Sequence, residues 1–244
     1  MTHKTKGIVL RTIKYGETSI VATIFTSMFG IQTYLVNAVR TSKKNGTKAA
    51  MFQPAAILEL EVYHNELKGL QRIKEYEWAY LYKEVFADVI KNSIALYIVE
   101  LLQKILKQPE QHTELFDFCE DILLQLDQAD YRIAANLPLF FSLQLPGFFG
   151  FRMNNNYSPG NKYTDLQEGY FCAEQPTHPF FLDEYLSGLT AELLRVMQPE
   201  ELTEIKLNKE TRRLLLSKYE DYYRLHIPDF GQLRSLQVLS EVIG

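Results

Sequence analysis

Four side chains in one short run, Lys6, Arg11, Lys14 and Tyr15, combine positive charge with an aromatic ring. Tyr34 and Arg40 repeat the combination on a later run and at its exit, and Lys43, Lys44 and Lys48 follow closely. The chemistry these types supply is the holding of a nucleic-acid strand. Cations track the phosphates while ring faces stack on bases, at about 1–3 kcal/mol per stacked base. On an unbroken strand Arg11 and Tyr15 point to the same side, and a bulge between them would part them. Packing inside a barrel is the competing use of Tyr15 and of Tyr34. So many cations have no comparable packing use.

Side chains that make or break bonds are not assembled in any recognisable pattern. The sequence has no Gly-rich phosphate loop, no Gly-x-Ser-x-Gly elbow and no His-Glu-x-x-His pair. Its five histidines, His3, His64, His112, His178 and His226, are scattered. His178 follows Cys172 by six residues, but two ligands do not make a metal site. Acid pairs such as Glu59 with Glu61 and Glu120 with Asp121 read as solvated faces. The expectation is a protein that is not an enzyme, with no catalytic residue, no metal and no cofactor. The two cysteines, Cys119 and Cys172, lie far apart, and no signal-like or membrane-length apolar run occurs. A reduced, cytoplasmic protein is expected.

The elements that must position the basic residues read as β. Residues 7–15, 19–26 and 31–39 are rich in β-branched residues, with a three-residue gap after the first that suits a hairpin. Residues 55–64 alternate, Leu58, Leu60 and Val62 against Glu59, Glu61 and Tyr63, and residues 70–80 supply a fifth strand. Between the third and fourth lies a basic excursion, residues 40–50, with four cations and no acid. Five short strands with that excursion fit an OB-type barrel, and an SH3-like barrel would read similarly. From about residue 81 the period becomes helical. Phe86 to Ile105 and Leu115 to Leu126 form two amphipathic stretches. Residues 131–151 are densely apolar, with Pro138 and Pro146 limiting regular helix, and residues 152–180 are rich in turn formers around a short hairpin. Helical period resumes at 183–197, at 209–225 behind Asn208 as N-cap, and at 233–243. The fold class is α+β: an OB-like barrel over residues 1–80, then a mainly helical domain over residues 81–244.

Charge supports that division. The chain of 244 residues carries −4, but residues 1–50 hold eight Lys or Arg against Glu17 alone, giving +7 there and −11 over the remainder. A basic binding face on an acidic body is the implied arrangement.

These residues resemble a known family. The run at residues 6–19, followed by Phe25-Thr26 and Phe29-Gly30, is similar to the N-terminal signature of the RecO family. The stretch from Phe52 to Glu77, then residues 222–228 and 233–239, are similar to later parts of the same family. The resemblance implies an OB-fold DNA-binding domain, a helical domain and a mediator without bond chemistry. RecO-like proteins bind single- and double-stranded DNA and anneal complementary strands. With RecR they help RecA replace single-strand-binding protein (SSB), and they contact the acidic SSB tail. Many members hold zinc through two Cys-x-x-Cys pairs in the segment that corresponds to residues 152–180. Here only Cys172 is present, so local packing of Tyr163, Tyr170 and Phe171 is expected instead.

DNA is therefore expected on Lys6, Arg11, Lys14, Tyr15, Tyr34, Arg40, Lys43, Lys44 and Lys48. An acidic partner peptide is expected on Arg195, Lys209, Arg212, Arg213 and Lys218 of the helical region. Two other classes compete: an adapter whose barrel binds a peptide, and an enzyme whose site comes together from remote residues.

Overall fold

A computed structural model describes residues 2–37, 39 and 46–243. The chain forms two compact units, Met1–Ala87 with Val99–Asp127 and Asp88–Ile98 with Gln128–Gly244.

The first unit is built on five strands, β1 Thr2–Tyr15, β2 Ser19–Thr26, β3 Gly30–Val36, β4 Ile57–Tyr63 and β5 Gln71–Tyr80. They close into a barrel in the order β1-β2-β3-β5-β4, with β1 pairing both β2 and β4 and a parallel contact between β3 and β5. This is the OB-type order. Alternation sends Val9, Ile24, Tyr34, Leu58, Leu60 and Val62 into a shared interior. The excursion after β3 contains α1, Gly46–Ala50. Arg40, Lys43 and Lys44 lie outside the described residues.

The compact unit does not stop at residue 80. Its further helix, α3 (Thr113–Gln128), brings Phe116 to within 5.5 Å of Phe25, centroid to centroid, and Glu120 to Lys6. Asp127 near its end accepts hydrogen bonds from the backbone N–H groups of Lys83, Glu84 and Val85 and from the Tyr80 hydroxyl. Sequence periodicity separates strand from helix, whereas compactness follows where Phe25, Ile8 and Asp127 find cover. The preceding helix α2, Val89–Ile105, is assigned to the first unit only from Val99 onward.

In the second unit α4 spans Tyr131–Gln144, capped by Asp130, whose carboxylate accepts from the N–H groups of Arg132 and Ile133. Pro138 was expected to limit this helix, yet the helix continues through it. Pro138 withholds one helical N–H, and its own carbonyl accepts from the Ser142 hydroxyl at 2.7 Å. Regular helix ends at Gln144, and a 3-10 turn containing Pro146 follows. The turn-rich stretch becomes a small sheet of β6 Tyr163–Asp165, β7 Tyr170–Cys172 and β8 Phe181–Leu182, in the order β7-β6-β8. Helices α5 Glu184–Leu193, α6 Lys209–His226 and α7 Arg234–Val242 complete the unit. Asp183 and Asn208 cap the first two of them.

Of the packing expected from Tyr163, Tyr170 and Phe171, Phe171 is buried, and an asparagine ties the turn-rich stretch to it. The Asn156 amide accepts from the Phe171 N–H and donates to the Phe171 carbonyl, both at 2.8 Å, in the manner of a neighbouring strand. Phe171 is buried and Tyr157 packs edge-on against it, while Tyr170 is exposed. Among the described residues no group of three or more His, Cys, Asp or Glu is placed to hold a metal, and no helix is long and apolar enough to cross a membrane.

Candidate nucleic-acid interface

The geometry of the β1–β2 hairpin is set by one bulge. Register runs Ile8 to Phe25 and Val9 to Ile24, then resumes at Arg11 to Thr23, leaving Leu10 unpaired on that side. The extra residue reverses which parity of β1 faces outward. Lys6 and Ile8 face outward before it; Arg11, Ile13 and Tyr15 do so after it. From Arg11 to Tyr15 the pairing is unbroken, so Arg11 and Tyr15 share one face. Lys14 is exposed too, but on the opposite side of the hairpin.

Cross-strand rows extend this face around the barrel. One row runs Arg11, Thr23, Thr33; the next runs Ile13, Val21, Leu35, Arg72, Tyr63. Arg11 and Arg72 are exposed, and Ile13, Tyr15 and Tyr63 are 48%, 56% and 49% exposed. Two arginines, two tyrosines and a thin apolar belt therefore line an uncovered sheet face. Arg72 escapes sequence reasoning because its place beside Leu35 depends on the parallel β3–β5 contact, which no local pattern signals. Lys48 is exposed on α1.

Two expected site residues leave this face. Tyr34 is 0% exposed in the barrel interior, and its hydroxyl meets no hydrogen-bond partner among the described residues. Its ring cannot stack on a base, because β3 parity turns it inward with Val36. Lys6 lies before the bulge, where its ammonium pairs with both Glu120 oxygens at 2.9 and 3.1 Å. That hydrogen bond raises the Lys6 pKa, and the charge is matched internally.

The residues expected to receive an acidic peptide are distributed unevenly. Arg195 and Arg213 are exposed; Lys209, Arg212 and Lys218 are partly buried. Arg212 turns inward, donating to the Asn136 side-chain oxygen at 3.0 Å and the Leu207 carbonyl at 2.8 Å, while adjacent Arg213 faces solvent. Lys209 donates to the Glu241 carbonyl. Lys209 and Arg212 thus donate to neutral oxygens rather than to carboxylates among the described residues.

A closed barrel of OB strand order carrying a basic, aromatic outer face, followed by a helical region, defines an α+β protein of the oligonucleotide-binding-barrel class. Residues 1–82 match the family described as Recombination protein O N terminal, and residues 87–237 match Recombination protein O C terminal. The chain is 33% identical over 244 residues to a DNA repair protein RecO of Phocaeicola vulgatus, covering 100% of both chains. It is 34% identical over 247 residues to one of Flavobacterium psychrophilum, again with 100% of both, and 28% identical over 237 residues to one of Porphyromonas gingivalis, covering 96% of each. The chain belongs to the RecO family of DNA repair and recombination proteins.

Proposed function

We infer that the chain is a cytoplasmic recombination mediator without bond chemistry. It binds single- and double-stranded DNA on the barrel, anneals complementary strands and, with RecR, promotes RecA loading on SSB-coated DNA. The observation that carries the DNA-binding reading is the uncovered face on which Arg11 and Tyr15 lie together with Arg72 and Tyr63. Contacts of this kind go to phosphates and ring faces, which every sequence offers, as strand annealing requires. Lys14 and Lys48 are exposed cations of the same barrel unit, and Arg40, Lys43 and Lys44, which lie outside the described residues, belong to the same proposed set.

Salt dependence tests this. If about five cations engage a single strand, the log–log slope of affinity against salt is about −3.5, and raising salt from 50 to 200 mM weakens binding about a hundredfold. Replacing Arg40, Lys43, Lys44 and Lys48 together with Ala is expected to flatten that slope. An unchanged slope would remove the loop from the interface, and a flat slope in the wild type would favour a barrel that binds a peptide.

The same reading gives the acidic SSB tail to the helical unit, supported by Lys209 and Arg212, which donate to neutral carbonyls, by the exposed Arg195 and Arg213, and by the half-buried Lys218. Titrating an SSB-tail peptide into the full-length protein checks it. Reversing Lys209 and Arg213 to Glu is expected to weaken the peptide about tenfold, by roughly 0.7 kcal/mol per charge, and to leave DNA affinity unchanged. If reversal of Arg11 weakens the peptide instead, the tail sits on the DNA face.

A further inference from the structure

The loop between β4 and β5 is held from beneath by one buried amide. Gln71 is 3% exposed; its oxygen accepts from the Asn65 N–H at 3.0 Å, and its nitrogen donates to the carbonyls of Asn65 at 2.8 Å and Lys68 at 2.6 Å. The Asn65 side chain in turn accepts from the Leu67 N–H at 2.9 Å. The loop is tied down at Asn65, Leu67 and Lys68, with the Leu67 side chain 96% exposed. An isolated exposed leucine is ordinary; one held out on a pre-ordered loop between two grooves is placed for contact.

The larger groove, of about 690 Å³, is lined by Thr23, Ile31, Thr33, Lys107 and Pro109 among others. The second, of about 260 Å³, is lined by Tyr63, Leu70 and Arg72. Lys68 lines both. Thr23 and Thr33 belong to the row that starts at Arg11, one and two strands away, roughly 5 and 10 Å. The larger groove therefore continues the uncovered face. Its surroundings carry Lys68, Arg72 and Lys107 against Glu66, with hydroxyl and amide groups between. Apolar Met28, Phe29, Ile31, Leu67 and Leu106 line the larger groove together with Lys68 and Lys107, which suits a polyanion that presents flat apolar faces. Only an unpaired nucleic-acid strand does so; in a duplex those faces are buried in the stack.

We propose that Leu67 is a wedge that packs against the bases of a single DNA strand running from Arg11 and Tyr15 across β2 and β3 into this groove, and that it sets a preference for unpaired over paired DNA. Gln71 is a positioning residue that acts through the loop. The inference rests on the barrel face being the DNA-binding surface. Because Leu67 is almost wholly exposed, Leu67→Ser does not disturb folding, and affinities can be compared directly. The full-length protein is titrated with a mixed-sequence 20-mer and with the same sequence as a duplex, at one salt concentration. Leu67→Ser is expected to weaken the single strand about five- to tenfold and leave the duplex unchanged. Leu67→Phe restores or exceeds wild-type single-strand affinity. Gln71→Ala weakens the single strand in the same direction at an unchanged duplex affinity. Equal loss for both DNAs, or no loss for either, overturns the wedge. An Arg11→Ala, Tyr15→Ala variant run alongside separates the two readings. If that variant loses affinity and Leu67→Ser does not, only the wedge fails; if neither loses any, the DNA face fails with it.

Discussion

Asp127→Asn is expected to destabilise the protein by about 3 kcal/mol in urea unfolding at neutral pH. One carboxylate oxygen accepts from the Lys83 N–H at 3.0 Å and the Tyr80 hydroxyl at 3.1 Å, and the other from the N–H groups of Glu84 and Val85 at 2.8 and 3.0 Å. The side chain is buried at 2% exposure. An amide keeps one acceptor but aims an NH₂ at the remaining donors, so two buried bonds go and donor meets donor. The pH dependence gives a second readout. Burial pushes the Asp127 pKa up, but the three backbone N–H groups and Tyr80 outweigh it and hold the pKa below the usual aspartate value. A lowered folded pKa means stability that is present above the unfolded value near 3.9 and is lost as pH falls through the folded one. The gap between wild type and Asp127→Asn is therefore expected to be full at pH 7 and to close below about pH 4. A gap that stays constant with pH would mean that the lost contribution is shape, not charge.

The same residue shows where sequence reading stops. That residues 113–128 form an amphipathic helix follows from Leu115, Ile122, Leu123 and Leu126; that Asp127 on it holds residues 83–85 has no local signature. The five strands were legible because alternation is visible wherever one face is buried, as in Leu58, Leu60 and Val62. The cap Asn208 was legible as a short polar side chain before an apolar period, whereas Asp183, which the sequence counts into the helical period itself, caps its helix. The proposed binding face was legible in part. Arg11 and Tyr15 share a side, as alternation requires, because the bulge falls at Leu10 rather than between them. That bulge also gives Lys6 to Glu120, and β3 parity gives Tyr34 to the interior, so composition alone overcounts the face. Arg72 and Leu67 were missed for the opposite reason. Their value comes from strand pairing and from the Gln71 amide, neither of which has a residue pattern to read.

Gly30→Ala is expected to cost at least 3 kcal/mol, and Gly16→Ala only about 1 kcal/mol, although both glycines have left-handed backbone at φ +60° and +61°. That conformation alone costs an alanine about 1–2 kcal/mol. Around Gly16, at the β1–β2 turn, an added Cβ meets nothing within 4 Å. At Gly30 it would lie 1.9 Å from the Glu110 carbonyl oxygen and 2.7 Å from its carbon. Backbone cannot yield there as a flexible side chain would, so either the turn closing β2 to β3 or the segment around Glu110 must move. The turn is tied by Thr26, whose buried hydroxyl donates to the Gly30 carbonyl at 2.9 Å and accepts from the Phe29 N–H at 3.0 Å. The segment around Glu110 is held to the same turn by the Gln111 amide on the Ser27 carbonyl. Pro109 and Gln111 line the larger groove beside Leu67, so displacing them also alters the path assigned to the single strand. Comparing the two alanine variants by chemical denaturation isolates the contact from the conformation. Equal costs at Gly16 and Gly30 would mean that the approach to Glu110 is looser than it stands here, whereas a larger cost at Gly30 accompanied by weaker single-strand binding would tie that approach to the shape of the groove.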